Sequence, residues 1–287
     1  MKEKTDEMGL NEGRKEGECV EHNVVLINNI TNGIGLALSS RLADIGVTVY
    51  TIILDSDDRH DITSNVKMVE ANSNSQLEEC ISRVVKEAKR IDVLVNLPAY
   101  AYLGTIEDIE IEDLVEQFNE NLFYTARLIK AVVPVMKVQE RGMIINVTSL
   151  AGMMGFPAIT AFASSMFALE GLSECLRYEL MRYGIDVVLV EPGAVKSDKD
   201  ILRLPRIEEY SDTLKNVQRG LAHLIEHGLN ADDVADTIIK IIGCYRQGSR
   251  PRMRYIVGGH AYTMFEAKRS MSEDEFEELI RKDVGLD

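Results

Sequence analysis

Short apolar runs recur along the chain at regular intervals. Residues 23–29, 47–54, 66–69, 92–96, 143–148, 186–190 and 255–257 are rich in Val, Ile and Leu, and several show no polar alternation. That is the pattern of parallel strands covered on both faces. Between these runs the period changes. Leu114, Phe118 and Leu122 fall four apart, as do Val234, Ile238 and Ile242, which is the spacing of one helix face. Strands alternating with helices of these lengths predict βαβ units and an α/β fold. The expected architecture is a single domain of three αβα layers around one doubly wound parallel sheet.

Residues 1–21 are charged, contain Gly and lack apolar periodicity, so they are expected to form a disordered leader ahead of a domain spanning 22–287. No internal repeat of 20–50 residues and no shift of composition divides that span. The polar stretch 196–229 lies between the sixth and seventh predicted strands. It occupies the place of a lid over a cleft, or equally of a surface helix pair with no gating role. Near the end, Ser272 followed by acids up to Glu278 reads as a helix cap with its first turn.

Composition narrows the function classes. An apolar share of 45% suits a full-sized core. No run approaches the ~20 apolar residues of a membrane helix, and a start charged from its second residue lacks the apolar core of a signal peptide. A cytoplasmic protein without membrane contact is the expectation. The net charge of −15 disfavours nucleic acid and anionic membrane surfaces, which need a positive field. It leaves room for a phosphate-bearing cofactor held by backbone amides. The four cysteines show no ligand-like spacing and read as reduced thiols. His223 and His227 sit four apart on a predicted helix, a spacing that can hold a metal. With no third ligand evident they read as an exposed helix face, and no metal is expected. A hydrolase triad of Ser149 with these histidines lacks the GxSxG elbow.

The first predicted strand runs directly into Asn28-Asn29-Ile30-Thr31-Asn32-Gly33-Ile34-Gly35 and then a helix. Glycines at such a junction let the backbone approach a pyrophosphate, whose charge meets the helix N-terminus. The fold is therefore expected to be of Rossmann type.

From residues 23 to 258 the chain resembles the short-chain dehydrogenase/reductase family. Its phosphate turn, TGxxxGxG, appears here with Gly33, Ile34 and Gly35 matched and Asn29 in place of the first Gly. Asn tolerates a left-handed backbone, although its side chain would crowd a cofactor. The DVLVN run ending at Asn96 matches, while its continuation reads Leu97-Pro98-Ala99. Asn121 matches the family's structural and catalytic Asn. Glu70 falls where an Asp faces the adenine. Pro192, Gly193 and Val195 match the PGxxxT loop beside the nicotinamide, with Ser197 for Thr. The segments around residues 167–180 and 254–258 are most similar to the steroid- and retinol-type branch. The resemblance implies NAD or NADP as cofactor, with Asn29, Asn32 and Asp55 also near it. Asp55 stands about two residues late for a ribose-holding acid, and Leu54 occupies the slot of an NADP-type Arg, so the sequence does not choose between the two.

The resemblance also implies the catalytic positions. Family members transfer hydride between nicotinamide and a carbinol or carbonyl carbon. A Tyr in YxxxK exchanges the proton, and the Lys holds the ribose and lowers the Tyr pKa. Ser149 fits the family's Ser. Thirteen residues on stands Phe162, and four further on stands Met166. Phenylalanine has no proton to give and methionine no charge. Positioned acid–base catalysis contributes roughly 10²–10⁴-fold, and that contribution disappears. Asn121 and Ser149 are then remnants. Phe162 and Met166, on one helix face, are expected to fill the nicotinamide end together through aromatic–thioether contact. The expectation is a catalytically impaired member acting by dinucleotide or ligand binding, with cofactor binding weakened or lost. The alternative is an active NAD(P)-dependent oxidoreductase on a steroid- or retinol-like carbonyl or alcohol. The family's habit of pairing through the helices carrying Asn121 and Phe162 implies a homodimer or homotetramer, or assembly with an active relative.

Overall fold

The structure is a computed structural model describing residues 23–30, 33–53, 65–70, 76–98, 100–196, 202–204 and 211–283. In chain order the elements are β1 (Val24–Asn28), α1 (Gly33–Asp44), β2 (Thr48–Ile53), β3 (Val66–Glu70), α2 (Leu77–Ala88), β4 (Val93–Asn96), β5 (Ala101–Tyr102), α3 (Ile111–Phe118) and α4 (Tyr124–Gln139). There follow β6 (Gly142–Val147), α5 (Thr160–Leu180), β7 (Ile185–Pro192), β8 (Leu202–Arg203), α6 (Asp212–Glu226), α7 (Ala231–Arg246), β9 (Arg254–Val257), α8 (Gly259–Ser270) and α9 (Glu273–Asp283).

Seven strands form one parallel sheet in the order β3-β2-β1-β4-β6-β7-β9. Successive residues of a strand face opposite sides, and both sides are buried. Val25 and Ile27 enter a core completed by Leu38 of α1 and Ile238 of α7. Val24 and Leu26 enter a second core with Val84 of α2 and Leu128 of α4. This two-sided burial explains the unbroken apolar runs. The Rossmann-type, three-layer αβα sandwich and all seven main strands agree with the sequence expectation to within two residues at each end. β5 and β8 pair only with each other and were not expected, because two residues carry no periodicity.

Two sequence-based details need correction or completion. The helix read from Leu114, Phe118 and Leu122 is interrupted by a π turn over Asn119–Phe123. Its buried positions are instead the polar Asp113, Gln117 and Asn121. Gln117 accepts from the Tyr102 amide and donates to the Tyr100 carbonyl, both at 2.8 Å. Ser272 caps α9 as expected: its hydroxyl accepts from the Glu275 amide, while Glu275 accepts in return from the Ser272 amide and hydroxyl. The leader 1–21 lies outside the described residues. Among those residues, no helix is long and apolar enough to cross a membrane, and Cys80, Cys175 and Cys244 are free thiols.

A charged knot fixes the last strand. Arg254 on β9 donates to Glu170 on α5 and to Glu191 on β7, and it pairs with Glu174. Glu191 is fully buried. Burial, and then the nearby Glu170 carboxylate, push its pKa from 4.5 up to about 7, against the opposing pull of Arg254. Burial likewise raises Glu170. Two buried carboxylates facing one guanidinium hold an extra proton in the folded state.

A group whose folded pKa is raised adds stability below its unfolded pKa and loses that contribution as pH climbs through the folded value. Between pH 4.5 and 7 the unfolding free energy should therefore fall with rising pH, by up to about 3 kcal/mol. Denaturant titrations across that range should show the slope in the unaltered protein and a much flatter one in Glu191→Gln. Arg254→Ala, which strands two buried carboxylates, should cost about 3–5 kcal/mol.

Candidate functional site

In an open parallel sheet the strands' carboxyl ends and the loops leaving them share one edge, and ligands bind where the strand order reverses. Here the reversal lies between β1 and β4. The turn leaving β1 brings Gly33 and Gly35 to the N-terminus of α1. A Cβ on Gly35 would stand 2.6 Å from both the Asn29 carbonyl oxygen and Ile30 Cα, so only glycine fits there. Asn29 adopts the left-handed conformation expected of it, at φ 51°. Its side-chain amide donates to the Pro98 carbonyl at 2.5 Å, a bridge from the end of β1 to the end of β4 across the reversal point.

Beside this crevice lies a cavity of about 310 Å³. Its wall gathers Ile34, Pro98, Ser149, Phe162, Pro192, Gly193 and Val195, seven residues from five separate stretches of the chain. The far wall comes from Leu202 of β8 and from Val217, Leu221 and His223 of α6. The stretch 196–229 therefore supplies a wall of the cavity where it is described. The lining is mainly apolar. Among the described residues its protic side chains are Thr148, Ser149, His223 and His260.

Ser149 follows β6, and its hydroxyl accepts from the Ala151 amide at 3.2 Å, capping the short turn Leu150–Gly152. Pro192 and Gly193 end β7. The Gly193 amide donates to the Val257 carbonyl at 3.0 Å, and Val195 pairs with Leu229. Phe162, in the first turn of α5, is half-buried on the cavity wall.

Met166, one turn later, is fully buried and does not line the cavity. It packs under Gly152, where an added Cβ would come within 3.2 Å of the Met166 Cβ. The expected joint filling of the cleft by Phe162 and Met166 is thus corrected. The two side chains part, one to the cavity and one to the core, because α5 packs closely against the Leu150–Gly152 turn.

Asn121, Asn96 and Glu70 also lie off the cavity. Asn121 is buried in the π turn and donates to the Tyr100 carbonyl at 3.1 Å and to the Ser165 hydroxyl at 3.3 Å. Asn96 is buried, and its amide donates to Asn146 at 2.8 Å, which in turn donates to Ser173, so the Asn96 side chain serves the core. Glu70 is exposed at the end of β3, where its carbonyl accepts from Arg83. Asn32, Leu54, Asp55 and Ser197 lie outside the described residues. Tyr100, whose carbonyl accepts from Asn121, has its phenol pushed up chiefly by burial and does not line the cavity.

Sequence reasoning missed His260. It follows the Gly258-Gly259 turn that leaves β9 at the same carboxyl edge, a placement that offered the available signal. It also missed Glu226 as a neighbour of His223 and His227: one donor atom of each lies within 4.8 Å of the others.

The comparisons agree with this geometry. The short chain dehydrogenase family model matches residues 23–203, well over half the chain. An uncharacterized oxidoreductase of Bacillus subtilis, YusZ, is 31% identical over 183 residues, which cover 61% of this chain and 65% of that protein; the match thus spans just under two-thirds of the relative's length. Bovine retinol dehydrogenase 8 is 28% identical over 254 residues, covering 79% of this chain and 80% of that protein. Among solved structures, a short-chain dehydrogenase from Streptomyces avermitilis superposes with a TM-score of 0.78 at 22% identity, over 94% of this chain and all of that one. The chain belongs to the short-chain dehydrogenase family.

Proposed function

We propose that this protein binds an apolar ligand in the cavity beside Ser149 and has given up the hydride-transfer chemistry of its relatives. The observation that carries the reading is the divergence of Phe162 and Met166. A phenyl ring stands on the cavity wall where family members place the proton-exchanging hydroxyl. A thioether is sealed in the core where they place a cation. Neither can exchange a proton or hold a ribose.

NAD or NADP is the family's usual cofactor, and the fit of the residues to it is uneven. The turn around Gly33 and Gly35 suits a pyrophosphate at a helix N-terminus. The Asn29–Pro98 bridge crosses the crevice at the strand reversal, and position 166 of α5 carries a thioether in place of the family's ribose-holding cation. The reading is therefore weak dinucleotide binding at the phosphate end, with the reactive ring not oriented for transfer.

A second reading has a specific observation in its favour. His223 and His260 line the same cavity as Ser149, and imidazole is a competent general acid. An oxidoreductase using one of them in place of the tyrosine is the alternative. Assays of NADH and NADPH oxidation with retinal- and steroid-like carbonyls separate the two. We expect no turnover above the protein-free rate. Turnover lost in Ser149→Ala and in His260→Gln or His223→Gln would establish the second reading and overturn the first.

The two altered positions should respond differently to restoration. Phe162→Tyr adds a hydroxyl at a half-exposed wall and should change stability by less than about 1 kcal/mol. Met166→Lys forces an ammonium into the core and should cost about 3 kcal/mol or more. Thermal and denaturant unfolding of the two variants checks this. A well-tolerated Met166→Lys would mean that this side chain reaches the cleft.

Self-association through α3, the π turn and α5 is part of the proposal. Ile111, Val115, Phe123, Phe167 and Tyr178 on these adjoining elements are exposed, and contiguous exposed apolar surface marks association sites. Light scattering after size exclusion should give a dimer or tetramer, and Phe123→Asp with Phe167→Asp should shift it to monomer. An unaltered protein that is monomeric at tens of micromolar would remove this part.

A further inference from the structure

We infer that the last turn of α6 is a binding site for a zinc-class divalent transition ion, held by His223, Glu226 and His227. The site lies beyond the proposed ligand binding and does not depend on it.

Residues i, i+3 and i+4 of a helix share one face, and here the shared face carries two imidazoles and a carboxylate. One donor atom from each lies within 4.8 Å of the other two, so an ion at the usual ~2.0–2.2 Å from its ligands needs only side-chain rotation to reach all three. The imidazole rings already stand close, with centroids 4.3 Å apart.

His227 is also oriented for coordination. Its Nδ1 lies 3.0 Å from the His223 carbonyl oxygen. A carbonyl can only accept, so Nδ1 carries the proton and Nε2 keeps the lone pair. Metal-bound histidines characteristically anchor their other nitrogen in this way. His227 is the residue that ends the helix, and the carbonyl end of a helix favours a positive charge. All three side chains are exposed, so binding requires little desolvation of the ligand set.

The chemistry selects the ion. Two imidazoles with one carboxylate suit zinc, nickel or copper, whereas magnesium and calcium prefer all-oxygen cages. Three protein ligands leave a coordination position for water or a ligand oxygen. The place is set as well. His223 belongs to the cavity wall. Just beyond the helix, Leu229 donates to the Ala194 carbonyl at 2.9 Å and accepts from the Lys196 amide at 2.8 Å. The ion would sit at the cavity rim, on a turn tied to the Pro192–Val195 loop.

The test is titration of the full chain with Zn²⁺ by calorimetry, and with Co²⁺ by visible absorption. One Zn²⁺ per chain is expected, with a rise in melting temperature and cobalt d–d bands. His223→Ala and His227→Ala should each weaken Zn²⁺ binding about tenfold or more, and Glu226→Gln less. Because these residues are exposed, the variants should melt as the unaltered protein does without metal. Should an alanine variant fold poorly, the His→Gln counterparts read the same loss. No Zn²⁺ binding, or equal binding by the His223→Ala/His227→Ala double variant, overturns the proposal, since the ion would then be absent or held elsewhere.

Discussion

The central strands of the parallel sheet, buried on both faces, leave the chain's polar chemistry few places to collect. The sheet interior accepts Val, Ile and Leu from every strand, and several of the polar groups that enter it pair with one another. Asn96, Asn146 and Ser173 form one such buried chain, and Thr148 donates to Glu170 in another pairing. Everything else that is protic and close to a ligand-sized space is pushed to the carboxyl edge. Ser149, His260 and the turn around Gly35 come from sequence-distant loops and converge there because parallel strands all end on the same side.

The same constraint acts on α5 one residue at a time. This helix lies against the turn after β6 so closely that a side chain on Gly152 would crowd Met166 and Glu170, and it must also deliver Glu170 to the Arg254 knot. Its rotation is therefore fixed by packing and charge on the same face. With the rotation fixed, position 162 meets the cavity and position 166 meets the core. The residues found there suit those surroundings: an aromatic ring on an apolar wall and a flexible thioether filling an irregular interior gap. A fold that keeps the helix in place retains the shape of the cleft whatever groups these two positions carry.

Much of this was legible in the sequence where a period or a spacing carried it. Continuous apolar runs marked all seven main strands, and the glycine-rich junction marked the head of α1. The interval from Ser149 to Phe162 and Met166 marked the positions where the resemblance implies a Tyr and a Lys. Contacts between distant residues were not legible. The divergence of Phe162 from Met166 depends on the distance between α5 and a turn, not on their own spacing. The polar stripe of Asp113, Gln117 and Asn121 was hidden because apolar Leu114, Phe118 and Leu122 offered the more obvious face. Arg254 meets its carboxylates across 63 and 84 residues, and no local pattern announces such a pairing. Glu226 was legible in principle, three residues from His223, once a helix was granted.

The cavity itself bears on why the altered residues are tolerated. Each apolar side chain lining an open space forgoes dispersion contacts it would have in a filled interior. A cleft without any use could be closed by larger side chains at modest cost, since volume-conserving repacking of apolar groups is well tolerated. Here the space is about 310 Å³, at the small end of the ligand-sized range, and small residues such as Gly193 and Ala194 still border it. The ring of Phe162 adds apolar wall without bringing a hydroxyl that would demand a hydrogen-bond partner. On the proposed reading, the phenyl ring that stands in place of a hydroxyl also makes the cavity more suited to an apolar guest, so one physical change would account for both a missing proton donor and a retained binding space.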